Sequence, residues 1–135
     1  MNNHGNRKMK INTLKRNKEF RFVYNRGSSY ASKYLVLIYL KRNNGGTRPG
    51  FSVSKKIGGA VRRNKVRRQL KAAFYNISKN VVFGNFNIIF IARNAINDSS
   101  FFEIQKEMYG LLNRAKIISC RDKVEKDSSC SDRFL

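Results

Sequence analysis

The sequence predicts an α+β domain in which one small sheet is covered by helices. Two short apolar runs and one alternating run indicate strands, and three longer segments repeat their apolar residues every three or four positions. The length of 135 residues suits one domain, and 41% hydrophobic with 27% charged residues is typical of a folded chain. The predicted order is helix, strand, strand, helix, strand, helix, with no internal repeat.

The first predicted helix is the segment NKEFRFVYNRG. Asn17 is a candidate N-cap, Phe20, Val23 and Tyr24 follow the i, i+3, i+4 spacing, and Gly27 is a stop signal. The resulting apolar stripe is narrow.

Two strands and a loop come next. The run YLVLIYL, residues 34–40, is continuously apolar, as in a strand covered on both faces. The segment RNNGGTRPG is rich in turn formers and predicts a loop, whereas FSVS, residues 51–54, alternates like a half-buried strand.

The second helix follows Gly58 and Gly59 and has two unlike sides. Its predicted core side comprises Val66, Leu70, Ala73, Phe74 and Ile77. At 100° per residue, its opposite side comprises Asn64, Arg67, Arg68 and Lys71. One side is therefore expected to pack, and the other is cationic.

A third strand and a final helix complete the pattern. FNIIFIAR, residues 86–93, indicates a strand, and SFFEIQKEMYGLLNRAKI opens with a capping box of Ser100 and Glu103. The predicted stripe comprises Phe101, Ile104, Met108, Leu111, Leu112 and Ala115. Glu103 and Glu107 are interpreted as part of the solvated side.

The charge distribution points to a polyanionic partner. The net charge is +21; residues 1–97 hold 22 Lys and Arg against the single acid Glu19, and residues 98–135 hold seven of each sign. Such a domain cannot neutralise itself internally, so its field attracts a polyanion, with nucleic acid the leading candidate.

The start of the second helix is the strongest candidate phosphate site. Arg62 and Arg63 fall in its first turn, where acids are usual, so they strengthen the natural preference of a helix N-terminus for anions. Lys55 and Lys56 extend the patch. A merely solvated basic side is the alternative, but such a side usually includes glutamates at i,i+4, and this helix has none.

Protein-centred catalysis is not expected. Before residue 98 the only side-chain carboxylate is Glu19, and His4 stands alone in a polar leader, so neither an acid–base pair nor a metal cage is predicted.

Cys120 and Cys130 are interpreted as free thiols in a reducing compartment. The leader lacks an apolar stretch and no window approaches a membrane span, so we expect a cytoplasmic protein without membrane contact.

The segment FSVSKKIGGAVRRNKVRRQLKAAF resembles the signature of the bacterial ribonuclease P protein component. The likeness continues through LKRNKEFRFVYNRG upstream and FNIIFIAR downstream. It spans residues 10–118, which sets the predicted domain between a leader (1–9) and a polar tail (119–135), both expected to be disordered.

The resemblance implies a non-catalytic subunit of an endoribonuclease whose active site is RNA. Its partners would be the catalytic RNA and precursor tRNA, whose 5′ leader is removed with Mg²⁺ bound mainly by the RNA and the substrate. No obligate protein partner is evident. The implied fold is ribosomal protein S5 domain 2-like, with a left-handed β-α-β crossover, against the usual right-handed rule.

The family's RNA-binding motif falls on Arg63, Asn64 and Lys65, followed by Arg67, Arg68 and Lys71. Lys65 stands where arginine is typical; it keeps the charge but lacks the planar two-pronged fork of arginine.

The resemblance also implies a cleft for the single-stranded leader. Phe20 and Tyr24 match its aromatic positions and could stack on bases of any sequence, although ordinary core packing is the alternative for both. Val36, Ile38 and Ser52 are further candidates for the lining.

Two other classes of nucleic-acid-binding protein remain open as alternatives. A ribosomal or assembly protein would share the charge and even the fold, but it does not predict this helix motif together with an aromatic first helix. A DNA-binding protein ranks third, because no helix-turn-helix, zinc or zipper pattern is present.

Overall fold

The computed structural model describes Leu14 and residues 17–120, and these residues form three α-helices and six strands. The helices are α1 (Asn17–Arg26), α2 (Ala60–Ser78) and α3 (Phe101–Arg114). The strands are β1 (Ser28–Ala31), β2 (Leu35–Lys41), β3 (Arg48–Ser52), β4 (Val81–Phe83), β5 (Phe86–Ala92) and β6 (Ile118–Cys120). Short 3₁₀ helices cover Lys55–Ile57 and Asn94–Asp98.

Four strands form the main sheet in the order β1-β2-β5-β3. Strand β2 is antiparallel to both β1 and β5, whereas β3 is parallel to β5. Strands β4 and β6 form a separate antiparallel pair. The α+β prediction is confirmed. Strands β3 and β5 with α2 between them form a β-α-β unit, and its left hand stays an expectation from the resemblance.

Helices cover both faces of the main sheet, which explains the continuous apolar runs of its central strands. On one face, Leu35 and Leu37 of β2 join α2 and α3 in the larger core. On the other face, Ile89 of β5 packs with Val23 of α1 and with Leu14. Alternate residues of β2 and β5 therefore serve two different cores.

The three predicted helices are confirmed, and their local signals act as expected. Helix α1 ends at Arg26, directly before Gly27. The capping box of α3 is formed: the Glu103 amide donates to Ser100 Oγ at 3.2 Å, and the Ser100 amide donates to Glu103 Oε1 at 2.9 Å. The buried residues of α2 are the five predicted: Val66, Leu70, Ala73, Phe74 and Ile77.

The predicted position of the second strand was wrong. Strand β3 covers Arg48–Ser52, so it begins inside the predicted loop and stops before Val53 and Ser54. Pro49 is tolerated because β3 is an edge strand, where a missing N–H breaks no ladder bond on the open side. The turn-forming residues of this segment therefore misled the prediction.

Strands β1, β4 and β6 were missed because each is too short for a clear alternation. Strand β1 carries only one half-buried side chain, that of Tyr30, and β4 and β6 have three residues each. Strand β6 reaches Cys120, two residues beyond the predicted domain boundary at 118, so Ser119 and Cys120 do not belong to a disordered tail. The predicted leader, residues 1–9, and the rest of the tail, with Cys130, lie outside the described residues.

Candidate nucleic-acid interface

The solvent side of α2 carries the basic residues that the helical spacing predicted. Asn64, Arg67, Arg68 and Lys71 bound a shallow cavity of about 220 Å³, and we call these four residues the cationic face. Arg67 Nη1 donates to Asn64 Oδ1 at 3.0 Å. No acidic residue is among the described residues that bound this cavity. Three neighbouring cations therefore meet solvent without a compensating carboxylate, an arrangement that favours binding of a polyanion.

The start of α2 is open to anions. Its N-cap is Gly59, which offers no side-chain cap, and its first turn has no acid. Arg62 Nη2 donates to the Asn97 carbonyl at 3.4 Å, and Arg63 Nε donates to the Gly58 carbonyl at 3.2 Å. These bonds hold both guanidinium groups beside the helix start, while each keeps further N–H donors for a phosphate.

The remaining predicted phosphate-binding lysines lie close to the start of α2 in the chain. Lys55 and Lys56 occupy the 3₁₀ helix directly before α2, and Lys65 lies in its second turn. All three are exposed. Exposed lysines near a helix start add charge for phosphates without fixing their geometry.

A cleft lies between α1 and the edge strand β3, and we call it the aromatic cleft. Its volume is about 280 Å³. It is lined by Asn17, Phe20, Tyr24, Phe51, Ser52, Val53 and Arg67. Three of the five residues predicted for a leader cleft are therefore brought together: Phe20, Tyr24 and Ser52.

The two aromatic residues of α1 that line the cleft, Phe20 and Tyr24, differ in how much of each side chain is buried. Their ring centroids are 6.5 Å apart, with 36° between the ring planes. Phe20 is half-buried and packs against the smaller core around Val23, whereas Tyr24 is 40% exposed. Core packing therefore explains why Phe20 is an aromatic residue in large part, and the ring of Tyr24 is the more accessible surface for base stacking.

Val36 and Ile38 are not among the residues that line the aromatic cleft, and their assignment to a leader-binding surface stays a prediction. They lie on β2, which is separated from β3 by β5. Val36 aligns with Ile91, which in turn aligns with Ser52, and Ile38 packs on the smaller core beneath α1. The order of strands in the sheet decides this placement, and a single sequence does not reveal that order.

Sequence reasoning missed four lining residues, of which Arg67 and Phe51 are the most informative. Arg67 was assigned to the cationic face alone, yet it lines both cavities. The ring of Phe51 lies 6.2 Å from those of Phe74 and Phe90, which ties the cleft to the larger core. The alternating FSVS pattern marked Phe51 as apolar, but only the position of α2 beside β3 brings it to the cleft.

Three of the acids that the structure describes are engaged in the fold. Glu19 pairs with Arg48 at 3.2 Å, and Glu103 completes the capping box. Glu107 Oε1 accepts from Ser32 Oγ at 2.6 Å and from the Tyr34 amide at 3.1 Å, so its assignment to a solvated side was wrong. Because these three carboxylates are bonded elsewhere in the fold, none of them neutralises the cationic face.

The described residues form neither a metal cluster nor a membrane-spanning helix. No three His, Cys, Asp or Glu side chains come together there as they would around a metal ion. No helix in that part of the chain is long and apolar enough to cross a membrane.

Comparison with known proteins gives a consistent result. Residues 9–116 match the family model described as Ribonuclease P. The chain is 44% identical over 110 residues to a ribonuclease P protein component of Clostridium botulinum, covering 81% of this chain and 98% of the relative. A second relative, from Clostridioides difficile, is 44% identical over 105 residues, covering 77% and 91%.

Solved structures agree with the sequence relatives. The Staphylococcus aureus RNase P protein superposes with a TM-score of 0.71 at 32% identity, covering 82% of this chain and 100% of that one. The Thermotoga maritima RNase P protein superposes with a TM-score of 0.68 at 25% identity, covering 76% and 96%. The similarity therefore extends over nearly the whole length of these proteins.

Proposed function

The chain belongs to the ribonuclease P protein family, and we propose that it binds both the catalytic RNA of that enzyme and the 5′ leader of precursor tRNA. As a component of ribonuclease P it acts in tRNA processing and has an RNA partner. The proposal that the protein binds both of these RNAs is supported by one observation: the aromatic cleft and the cationic face adjoin each other and share Arg67.

The two surfaces suit two kinds of RNA contact. The cationic face and the open start of α2 offer charge and N–H donors to phosphates, which are independent of sequence. The aromatic cleft offers ring faces, on which unpaired bases of any identity can stack. A protein with both surfaces can hold folded RNA with one and a single strand with the other, so that the leader is presented to the catalytic RNA.

The hydrolytic step is assigned to the RNA. The described residues do not offer the clustered oxygen ligands that Mg²⁺ prefers, so we place Mg²⁺ on the RNA subunit and the substrate. The part of the protein is to neutralise phosphates and to orient the strand. We place the complex in the cytoplasm and propose that it needs no further protein subunit.

Reconstitution tests this proposal. Purified protein added to the catalytic RNA should restore leader cleavage at Mg²⁺ concentrations too low for the RNA alone. The Arg68→Ala variant should restore it less well than the Lys106→Ala variant, because Lys106 is an exposed cation of α3, outside the cationic face and the aromatic cleft. Absence of any stimulation would reject the proposal and favour the ribosomal or assembly alternative.

A further inference from the structure

A third cavity lies at the opposite edge of the main sheet from the aromatic cleft. It has a volume of about 490 Å³ and lies between α3 and residues 32–34, which join β1 to β2. We call it the α3 cavity. None of the described residues that line it also lines the aromatic cleft or bounds the cavity of the cationic face. Its volume is in the range of sites that bind small molecules.

Hydrogen bonds hold the two walls of the α3 cavity together. Glu107 Oε1, on α3, accepts from Ser32 Oγ at 2.6 Å and from the Tyr34 amide at 3.1 Å. Arg93 Nη1 donates to the Ser32 carbonyl at 2.8 Å, and Tyr34 is buried in the larger core. The cavity is therefore formed before any ligand arrives, and a ligand does not have to order its walls.

Aromatic rings position two cations of the lining. Lys33 Nζ lies 5.4 Å from the centre of the Tyr34 ring, and Arg114 Cζ lies 4.7 Å from the centre of the Tyr30 ring. A guanidinium that is stacked on a ring keeps the N–H groups at its edge available for a carboxylate or phosphate. Arg114 is therefore a fixed, two-pronged donor beside the cavity, and Lys33 adds charge from the opposite wall.

The charges of the lining suit one anionic group better than a polyanion. The lining contains three cations, Lys33, Lys106 and Arg114, and two acids, Glu103 and Glu107. Glu103 completes the capping box, and Glu107 is bonded to residues 32–34. In the described part of the chain, no ion pair joins either acid to one of these cations. A single anionic group therefore meets uncompensated cations here, whereas a continuous phosphate backbone would also meet both carboxylates.

A glycine in the middle of α3 keeps the cavity open. Gly110 belongs to the lining, and no atom lies within 4 Å of a Cβ built at this position. Glycine weakens the interior of a helix relative to alanine, so the helix does not favour this residue. The absence of a side chain leaves the uncharged helix surface at Gly110 and Leu111 accessible to a ligand.

We propose that the α3 cavity binds a small organic anion, with its carboxylate or phosphate group on Arg114 and its uncharged body over Gly110. Lys33 attracts the same anionic group from the other wall. The site goes beyond the proposed function, because its lining shares no described residue with the two RNA surfaces. Ligand and RNA can therefore be bound at the same time.

Titration of the full chain, followed by NMR of its amides, tests the proposal. Benzoate and phenyl phosphate are the probes, because they present the same ring with different anionic groups. At least one should shift residues 32–34 and 107–114 in a saturable manner, and the one that binds identifies the anionic group. Benzamide, which lacks the charge, and inorganic phosphate, which lacks the ring, should each bind there about tenfold more weakly.

Three variants separate this cavity from the other basic surfaces of a chain with net charge +21. Gly110→Leu places a side chain in the open space and should remove the saturable shifts. Arg114→Lys keeps the charge but loses the planar fork, so it should weaken binding by about tenfold. Lys41→Ala is the control, because Lys41 is an exposed cation of β2 outside all three cavities, and it should bind like wild type. Thermal melting of each variant checks the fold.

A repeat of the titration in the assembled holoenzyme tests whether the site is independent of RNA. The probe should bind with an affinity within about twofold of that of the free protein. Displacement of the probe by the catalytic RNA would overturn the proposal and make this cavity an RNA surface. Three further results would overturn it: no saturable shift with either probe, unchanged binding in Arg114→Lys, or equal binding of benzamide and benzoate. Probe binding without any restored leader cleavage would instead reject the proposed function alone.

Discussion

The ring of Phe20 lies directly against the backbone of Gly50. A Cβ atom added to Gly50 would fall 2.8 Å from both Cε1 and Cζ of that ring. Helix α1 can therefore approach strand β3 this closely only because residue 50 has no side chain. The contact fixes the separation of the two elements that form the walls of the aromatic cleft.

Gly50→Ala is expected to lower the free energy of unfolding by about 1–3 kcal/mol, because the ring and the α1 helix must shift to accommodate the methyl group. Chemical denaturation measures the change. Gly110→Ala is the matched control: nothing lies within 4 Å of a Cβ at this position in α3, so alanine should stabilise the helix by about 0.5–1 kcal/mol. Equal stability of Gly50→Ala and wild type would contradict the close contact.

Tyr24→Leu is expected to weaken precursor tRNA binding by about 1–3 kcal/mol through loss of one base stack, while mature tRNA binds almost as before. Phe20→Leu should also cost stability, by about 1 kcal/mol, because Phe20 packs on the smaller core. Phe22→Leu is the control: Phe22 lies on the same helix and is 50% exposed, but it does not line the aromatic cleft. Parallel loss of both tRNA affinities in Tyr24→Leu would show that Tyr24 does not act on the leader.

The double variant Arg68→Ala, Lys71→Ala should bind the catalytic RNA with a shallower salt dependence. Removing one cation that binds a phosphate reduces the slope of log K against log salt by about 0.7–0.9, because fewer counterions are released on binding. Binding titrations over a series of salt concentrations give the slope. Lys106→Ala should keep the wild-type slope; an unchanged slope in the double variant would remove the cationic face from the interface.

Glu107→Ala is expected to destabilise the fold by about 1–3 kcal/mol. The carboxylate accepts from Ser32 Oγ and from the Tyr34 amide, so its removal leaves both donors without this partner. The exposed neighbour Lys106 provides the control, since Lys106→Ala should change stability by less than about 0.5 kcal/mol. Denaturation midpoints of the two variants compare the effects directly.

Alkaline conditions should weaken the fold through Tyr39. Burial raises the pKa of Tyr39 above its ordinary value of 10.0, and the neighbouring Tyr30 raises it further. Because the folded-state pKa is raised, the unfolded chain loses the Tyr39 proton at a lower pH than the folded chain does. The contribution of Tyr39 to stability is therefore complete at pH values below its ordinary pKa, and it declines as the pH rises through the folded-state pKa. Tyr39→Phe should lose less stability than wild type between neutral pH and about pH 11, as measured by chemical denaturation at each pH.

Periodicity and composition were enough to predict the elements that bury long apolar stripes. Helix α2 shows this best, because its five buried residues and the four residues of its cationic face follow from a rotation of 100° per residue. The capping box of α3 was equally predictable, since Ser100 and Glu103 interact within one helical turn. The excess of positive charge in residues 1–97 was predictable without a structure, because Glu19 is the single acid there and cannot neutralise 22 Lys and Arg in any arrangement.

The sequence by itself determined the α+β class, the cationic side of α2 and, through the resemblance, the family. Only the tertiary structure decided that β5 lies between β2 and β3, so that Val36 and Ile38 of β2 are not among the residues lining the aromatic cleft. Only the tertiary structure decided that α2 passes beside β3, which places Arg67 in that lining. It also decided that Gly50 meets Phe20 instead of forming a turn. The physical reason is range: caps and periodic stripes arise between residues a few positions apart, whereas strand order and close approach depend on contacts between segments far apart in the chain.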